Sequence, residues 1–158
     1  MSRPANSLAL ALATWFGCGY VPKGPGTAGA LGAVAVAWLL VGLLRQPPVS
    51  LALAAGLLLA PAVWAANRAC EHWKAKDPQR VVIDEVLGQW LTLAATPSLS
   101  WRSWLAAFVL FRLFDIFKPF PVDAAERLPS GWGVIADDLV AGLYGAVVLG
   151  LLRWLHYL

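Results

Sequence analysis

Charge is what this sequence has least of. Only 13% of its 158 residues are Asp, Glu, Lys or Arg, against about 25% in an ordinary soluble domain. With 59% hydrophobic residues and a mean hydropathy of +0.66, the chain reads as an integral membrane protein. The surplus of 12 basic over 9 acidic side chains is small and scattered, which excludes a nucleic-acid binder but suits contact with anionic lipid headgroups. Cysteine is also scarce. Cys18 and Cys70 are too few for a disulfide framework or a zinc site, so both are expected as reduced thiols. The N-terminus has no basic stretch and no clear cleavage site, so no removable signal peptide is expected. There is no internal repeat and no low-complexity tail.

Tryptophan, by contrast, is abundant at nine residues. Trp38, Trp64, Trp101, Trp104 and Trp154 fall near the ends of apolar runs, where an interfacial aromatic belt would lie. The runs themselves define the organisation of a single domain, residues 1–158. Ser7 to Phe16 is apolar but shorter than the roughly 20 residues that span a bilayer, and is expected to lie at the interface or half-buried. Five glycines and two prolines between Gly17 and Gly29 bar regular helix until about Thr27, an expected N-cap. Ala28–Leu44 and Val49–Ala66 follow as spans, the second kinked at Pro61. Asn67–Arg80 is the most charged stretch and should lie in water. A third apolar run after Asp84-Glu85 is short, about 13 residues, and fits a partial span. After a turn over Ser98–Ser103, Trp104–Phe117 returns. Pro119 should end that helix, and Asp138–Trp154 is the last span. The expected fold is all-α, with about four to five membrane-embedded helices plus a short N-terminal interfacial helix.

The Asn67–Arg80 loop carries Arg68, Lys74, Lys76 and Arg80, which places it in the cytoplasm. Threading from there puts Lys23, Asp84, Glu85, Arg112, Asp115, Lys118, Asp137 and Asp138 at the same cytoplasmic interface. That topology rests on the basic residues alone, independently of the acidic ones. The stretch from Phe108 to Gly142 is the centre of the pattern: one apolar helix ends, Pro-rich and Gly-rich turns follow, and another helix begins. Ionisable groups at the rim of a membrane helix are costly and mark function by default.

Five carboxylates from three helix ends repel one another in a partly desolvated site unless protons or a cation offset them. An all-oxygen donor set favours Mg²⁺, with Mn²⁺ or Ca²⁺ as alternatives. Zinc is disfavoured, because His72 and His156 fall on opposite sides of the membrane. Lys23, Arg112, Lys118 and the Gly/Pro-rich loop could receive an oxyanion. That inventory belongs to phosphoryl chemistry. Blander readings stand beside it. Asp84 and Asp137 each precede a helix and could be N-caps, Arg112 and Asp115 could form a structural ion pair, and Lys118 could be an interface anchor. Asp138 is harder to explain as a cap beside Asp137. Glu71, Asp77, Asp123 and Glu126 read as solvated loop charges.

Several phosphoryl-transfer motifs are absent. Gly24 and Lys76 stand where a Cys-x5-Arg phosphatase needs Arg, Trp132 follows Pro129-Ser130-Gly131 where a histidine would be needed, and there is no Asp-x-Asp. Asp138-Leu-Val-Ala-Gly142 only distantly echoes the CDP-alcohol phosphotransferases. Four segments in order do resemble one family: Cys18–Gly29 (CGYVPKGPGTAG), Val82–Gly88 (VIDEVLG), Phe111–Val122 (FRLFDIFKPFPV) and Gly131–Gly142 (GWGVIADDLVAG). Together they are similar to phosphatidylglycerophosphatase A, from about Ala13 to Leu155. The sequence departs at Ala30, where Ser is expected, and at Ser130, where Gly is usual.

The resemblance implies a Mg²⁺-dependent enzyme of the bacterial inner membrane that removes the terminal phosphate of a phospholipid, phosphatidylglycerophosphate. It marks Lys23, Thr27, Asp84, Glu85, Arg112, Asp115, Lys118, Asp137 and Asp138. Asp84, Glu85, Asp115 and Asp138 are then the expected metal ligands, with Asp137 a further catalytic carboxylate. Lys23, Thr27, Arg112 and Lys118 are the expected substrate contacts. Water is the expected nucleophile, with an aspartate nucleophile left open. The rival readings are a CDP-alcohol-type transferase and a non-catalytic membrane carrier or assembly subunit.

Overall fold

The apolar runs fold as helices in a computed structural model, which describes residues 4–97 and 100–157. Met1–Arg3, Leu158, and Ser98 and Leu99 of the expected turn lie outside the described residues. The helices are α1 (Pro4–Ala13), α2 (Pro25–Trp38), α3 (Ser50–Trp73), α4 (Ile83–Ala94), α5 (Trp101–Phe117), α6 (Val122–Ala125) and α7 (Gly131–Trp154). A 3-10 turn at Cys18–Tyr20 precedes α2, and a π-helical turn at Leu39–Leu43 extends it. No strand occurs among the described residues.

Among the described residues, three helices are long and apolar enough to cross a membrane: Pro25–Leu43, Ser50–Trp73 and Gly131–Trp154. At 1.5 Å per residue, α4 rises only about 18 Å and is shorter than the hydrocarbon layer. It is also the most enclosed, with Ile83, Val86, Leu87 and Leu93 fully buried. The 17-residue α5 exposes Leu105, Val109, Leu113 and Ile116 along one side. Such an apolar stripe needs lipid or a partner over it.

Small residues set how closely α4 and α7 approach. A Cβ added at Gly142 would run into the backbone of Gly88, coming 2.8 Å from its Cα. The close crossing lets the Thr92 hydroxyl donate to the Gly142 carbonyl at 3.0 Å. This is the small-residue and side-chain hydrogen-bond packing used where lipid supplies no hydrophobic drive between helices. Trp90 ties α4 to α2 by donating its indole N–H to the Ala33 carbonyl at 2.9 Å.

Several boundaries differ from the sequence expectation, each for a local reason. Helix α2 starts at Pro25 after the left-handed Gly24 (φ 71°), not at Thr27, because Pro at the first position lacks only an N–H that would have no partner there. Helix α3 runs on to Trp73, so the first half of the charged Asn67–Arg80 stretch is helical, ending at the left-handed Lys74 (φ 52°). Of the tryptophans, Trp104 is buried rather than at a lipid interface, at 8% exposure.

The largest shift is in α7, which begins at Gly131, seven residues before Asp138. Its first N–H is received by Asn67 Oδ1 of α3 at 2.7 Å, so neither aspartate caps it. Ser130, in the N-cap position, has φ 56° and ψ −145° and makes no side-chain cap. Asp84 likewise does not cap α4: that position is Val82, and Asp84 lies in the first turn.

Candidate active site

Chain direction brings one set of helix ends together. The starts of α2, α4 and α7, the end of α5 and the loop after α3 surround a cleft of about 410 Å³. Its walls are Pro22, Gly24, Pro25 and Gly26 before and in α2, then Asp77, Gln79 and Val81 from the α3–α4 loop. Asp84 and Glu85 of α4, Arg112, Asp115 and Lys118 at the end of α5, and Val134, Asp137 and Asp138 of α7 complete it. Because Asp138 is the eighth residue of α7, the carboxylates lie roughly 10 Å below the start of that helix. The site is recessed into the bundle.

Asp84, Glu85 and Asp138 form its floor, each offering a carboxylate oxygen within 4.8 Å of the others. Asp138 is 3% and Asp84 9% exposed. Asp84 Oδ1, Glu85 Oε2 and Asp138 Oδ2 are buried with no hydrogen-bond partner among the described residues. Three desolvated carboxylates this close together are unfavourable without a proton or a cation between them. Hard oxygen donors at this spacing fit a divalent cation such as Mg²⁺.

Four of the remaining charges pair off. Arg112 Nη1 donates to Asp115 Oδ2, three residues along α5, and lies 3.9 Å from Glu85 Oε1. Its Nε is buried without a partner. Lys118 ends α5 in the left-handed conformation (φ 43°), which turns its ammonium back over the cleft. It donates to Asp137 Oδ2 at 2.8 Å and to Glu126 Oε2 at 3.1 Å. Partial burial pulls its pKa down, but the bonds from Asp137 and Glu126 outweigh that and hold it above the ordinary lysine value. Asp137 Oδ1 also accepts from the Asp138 N–H at 3.0 Å, so it orients Lys118 while buried.

The wall from α2 is nearly bare backbone. A side chain at Gly26 would collide with Glu85 Oε1 and come within 3.3 Å of Arg112 Nη1. The first-turn N–H groups of Gly26 and Thr27 have no acceptor inside the helix and carry the positive end of its dipole toward the cleft. Helix α4 aims its own N-terminus at the same place.

Thus seven of the nine residues marked from sequence line one cleft: Asp84, Glu85, Arg112, Asp115, Lys118, Asp137 and Asp138. Lys23 and Thr27 flank the lining residues Gly24–Gly26 but are exposed and do not line it. Two supposedly solvated loop charges are part of the site. Glu126 holds Lys118, and Asp77 stands on the wall. The only sequence signal for Asp77 is its place before Pro78, which is buried and fixes the loop. Glu71 is the solvated charge expected, paired with Arg68 at 3.0 Å on the surface.

The sequence profile of the family described as phosphatidylglycerophosphatase A matches residues 11–153. A Bacteroides thetaiotaomicron protein provisionally named as a phosphatidylinositol-3-phosphatase is 40% identical, covering 98% of both chains. Proteins named phosphatidylglycerophosphatase A are similar too. That of Haemophilus influenzae is 37% identical over 87% of this chain and 84% of its own. That of Escherichia coli is 35% identical over 94% and 83%. No solved structure matches.

Proposed function

The chain belongs to the phosphatidylglycerophosphatase A family, and on that premise we propose that it hydrolyses the terminal phosphomonoester of phosphatidylglycerophosphate to phosphatidylglycerol and phosphate. That it is a membrane-embedded phosphatase follows from the family and the three long apolar helices. The observation that carries the finer reading is the recessed floor of Asp84, Glu85 and Asp138, with its three unpartnered oxygens. A phosphate on a lipid headgroup can reach that depth while its acyl chains stay in the bilayer.

Asp84, Glu85 and Asp138 would hold Mg²⁺. When bound, the ion supplies positive charge for a phosphoryl oxygen and a more acidic water. The protein's own groups do the rest. Arg112, with a free Nε–H beside the floor, and Lys118, held by Asp137 and Glu126, neutralise the equatorial phosphoryl oxygens. Asp115 fixes the Arg112 guanidinium so that little reorganisation is needed as charge develops. The first-turn N–H groups of α2 add donors on the opposite wall.

The site faces the cytoplasm in this reading. Among the described residues, Lys23, Arg68, Lys74, Lys76, Arg80, Arg112, Lys118 and Arg127 sit at the end of the bundle that holds the site. Arg45, Arg102 and Arg153 sit at the other. That asymmetry is the positive-inside pattern, and it supports placement in the bacterial inner membrane with the site inward.

The relative named for phosphatidylinositol 3-phosphate favours a second substrate with the same kind of bond, a phosphomonoester on a glycerophospholipid headgroup. Phosphate release by the purified chain in mixed micelles tests both. Turnover of phosphatidylglycerophosphate well above that of phosphatidylinositol 3-phosphate is expected. The reverse ranking would reassign the substrate, and no release from either would overturn the proposal.

A further inference from the structure

Cleavage of the terminal phosphate leaves a glycerol alkoxide, a poor leaving group that needs a proton in the transition state. Most carboxylates of the cleft are committed elsewhere. Asp84, Glu85 and Asp138 form the floor, Asp115 is bound to Arg112, and Asp137 to Lys118. Among the described residues, no histidine, cysteine or tyrosine lines the cleft. One acid on its wall has neither a hydrogen bond nor an ion pair with any described residue: Asp77.

Resting on the phosphatase reading above, we infer that Asp77 is the general acid that protonates the departing glycerol oxygen. The backbone on either side of it is fixed. The Lys76 carbonyl accepts from Cys70 Sγ at 3.2 Å, and the Pro78 carbonyl accepts from the Val81 N–H at 2.8 Å. Asp77 therefore stands at a set place on the wall, at the rim and not on the recessed floor. With the phosphate seated on the floor, the glycerol points toward the mouth, where Asp77 is.

The surroundings favour the protonated form of Asp77 more than bulk water would. Partial loss of water around it raises its pKa, Lys118 opposes this, Glu126 and Asp115 raise it further, and Lys76 on its own loop lowers it. The net shift is upward. Asp77 stays open to solvent at the mouth, so its proton can be replaced after each turnover.

In the step, the oxygen of water bonds to phosphorus. The bond from phosphorus to the glycerol oxygen breaks, and its electron pair stays on that oxygen. The oxygen takes the Asp77 proton and leaves as the alcohol. The phosphate departs carrying both protons of the attacking water and sheds one to solvent, while Asp77 regains one from solvent. The sum is one water consumed, one alcohol and one phosphate formed.

The test varies the leaving group. Wild type and Asp77→Asn are compared on phosphatidylglycerophosphate and on a diacyl lipid whose terminal phosphate sits on a phenol instead of glycerol. A phenolate leaves without a proton. Asp77→Asn should lower kcat on the glycerol substrate by roughly 10²- to 10⁴-fold, the usual contribution of a general acid, and by less than about tenfold on the phenol substrate. Asp77→Glu should recover part of the loss on the glycerol substrate alone. Equal losses on the two substrates, or none on either, would overturn the assignment of Asp77. A wild-type chain inactive on both would instead overturn the phosphatase reading, and this inference with it.

Discussion

The two ends of this helix bundle are built from different amino acids. All nine acidic residues of the chain, Glu71 through Asp138, fall at one end, around or just outside the cleft. The other end has Arg45, Arg102 and Arg153 and a set of tryptophans. There Trp38 and Trp101 are half or more exposed and share a shallow groove with Trp104 and Ser100. Arg102 stacks on its neighbour Trp101, at 5.6 Å. Burying a carboxylate is expensive unless it is paired or binds a cation. The tryptophan end avoids that cost altogether. The acidic end accepts it at Asp84 and Asp138, both buried and both with an unpartnered oxygen. In the proposed reading, the difference separates residues that seat a helix in a membrane from residues that hold a cation and a phosphate.

That contrast is sharpest at Asp138. Asp138→Asn keeps the size of the side chain but removes the charge a Mg²⁺ ligand needs, and should lower kcat for phosphate release by at least about 10³-fold, or ~4 kcal/mol of barrier. Arg102→Ala, at the other end, should leave kcat within about twofold. Similar losses from both would erase the distinction between the ends.

A smaller effect is expected at Lys118. Lys118→Met removes one of two cations from the cleft and leaves Asp137 buried without its partner at 2.8 Å. Turnover should fall by about 10- to 100-fold, because Arg112 remains to bind phosphate oxygens. A full loss, equal to that of Asp138→Asn, would mean that Lys118 has no backup in the site.

Two changes act on the scaffold that holds the acidic end together. Gly142→Leu forces α7 off Gly88 of α4 and should cost about 3 kcal/mol, the upper part of the overpacking range, read as a lower Tm in detergent. An unchanged Tm would show that the α4–α7 crossing is loose. Ser130→Gly should stabilise by about 1 kcal/mol, since a backbone at φ 56° and ψ −145° is close to a region that glycine occupies without strain. A loss of stability there would mean that the serine side chain makes up for its conformation.

How much of this was legible beforehand varies with the distance over which each residue acts. The helices and the grouping of charges were readable because apolar length and basic-loop counting depend on short windows. Asp138 lies deeper in α7 than the sequence suggests. Gly131-Trp-Gly133 looks like a turn, yet it is the first turn of α7, allowed because Asn67, 64 residues away, receives the first N–H. Capping by a remote side chain leaves no local signal. Glu126 and Asp77 were hidden for the same reason. Their value comes from Lys118 and from the cleft wall, which meet them only in the folded chain. Lys23 shows the opposite case, a prominent charge in a conspicuous loop whose neighbours Pro22 and Gly24 line the cleft while it does not.

The central claim is that the buried carboxylate floor works by holding a divalent cation. The direct measurement is phosphate release from phosphatidylglycerophosphate by the purified wild-type chain with excess EDTA, then after adding back Mg²⁺, alongside Mn²⁺ binding by wild type and Asp138→Asn. The account predicts that EDTA abolishes release, that Mg²⁺ restores it, and that wild type binds Mn²⁺ at a site Asp138→Asn lacks. Full activity in excess EDTA, or equal Mn²⁺ binding by both proteins, would contradict it.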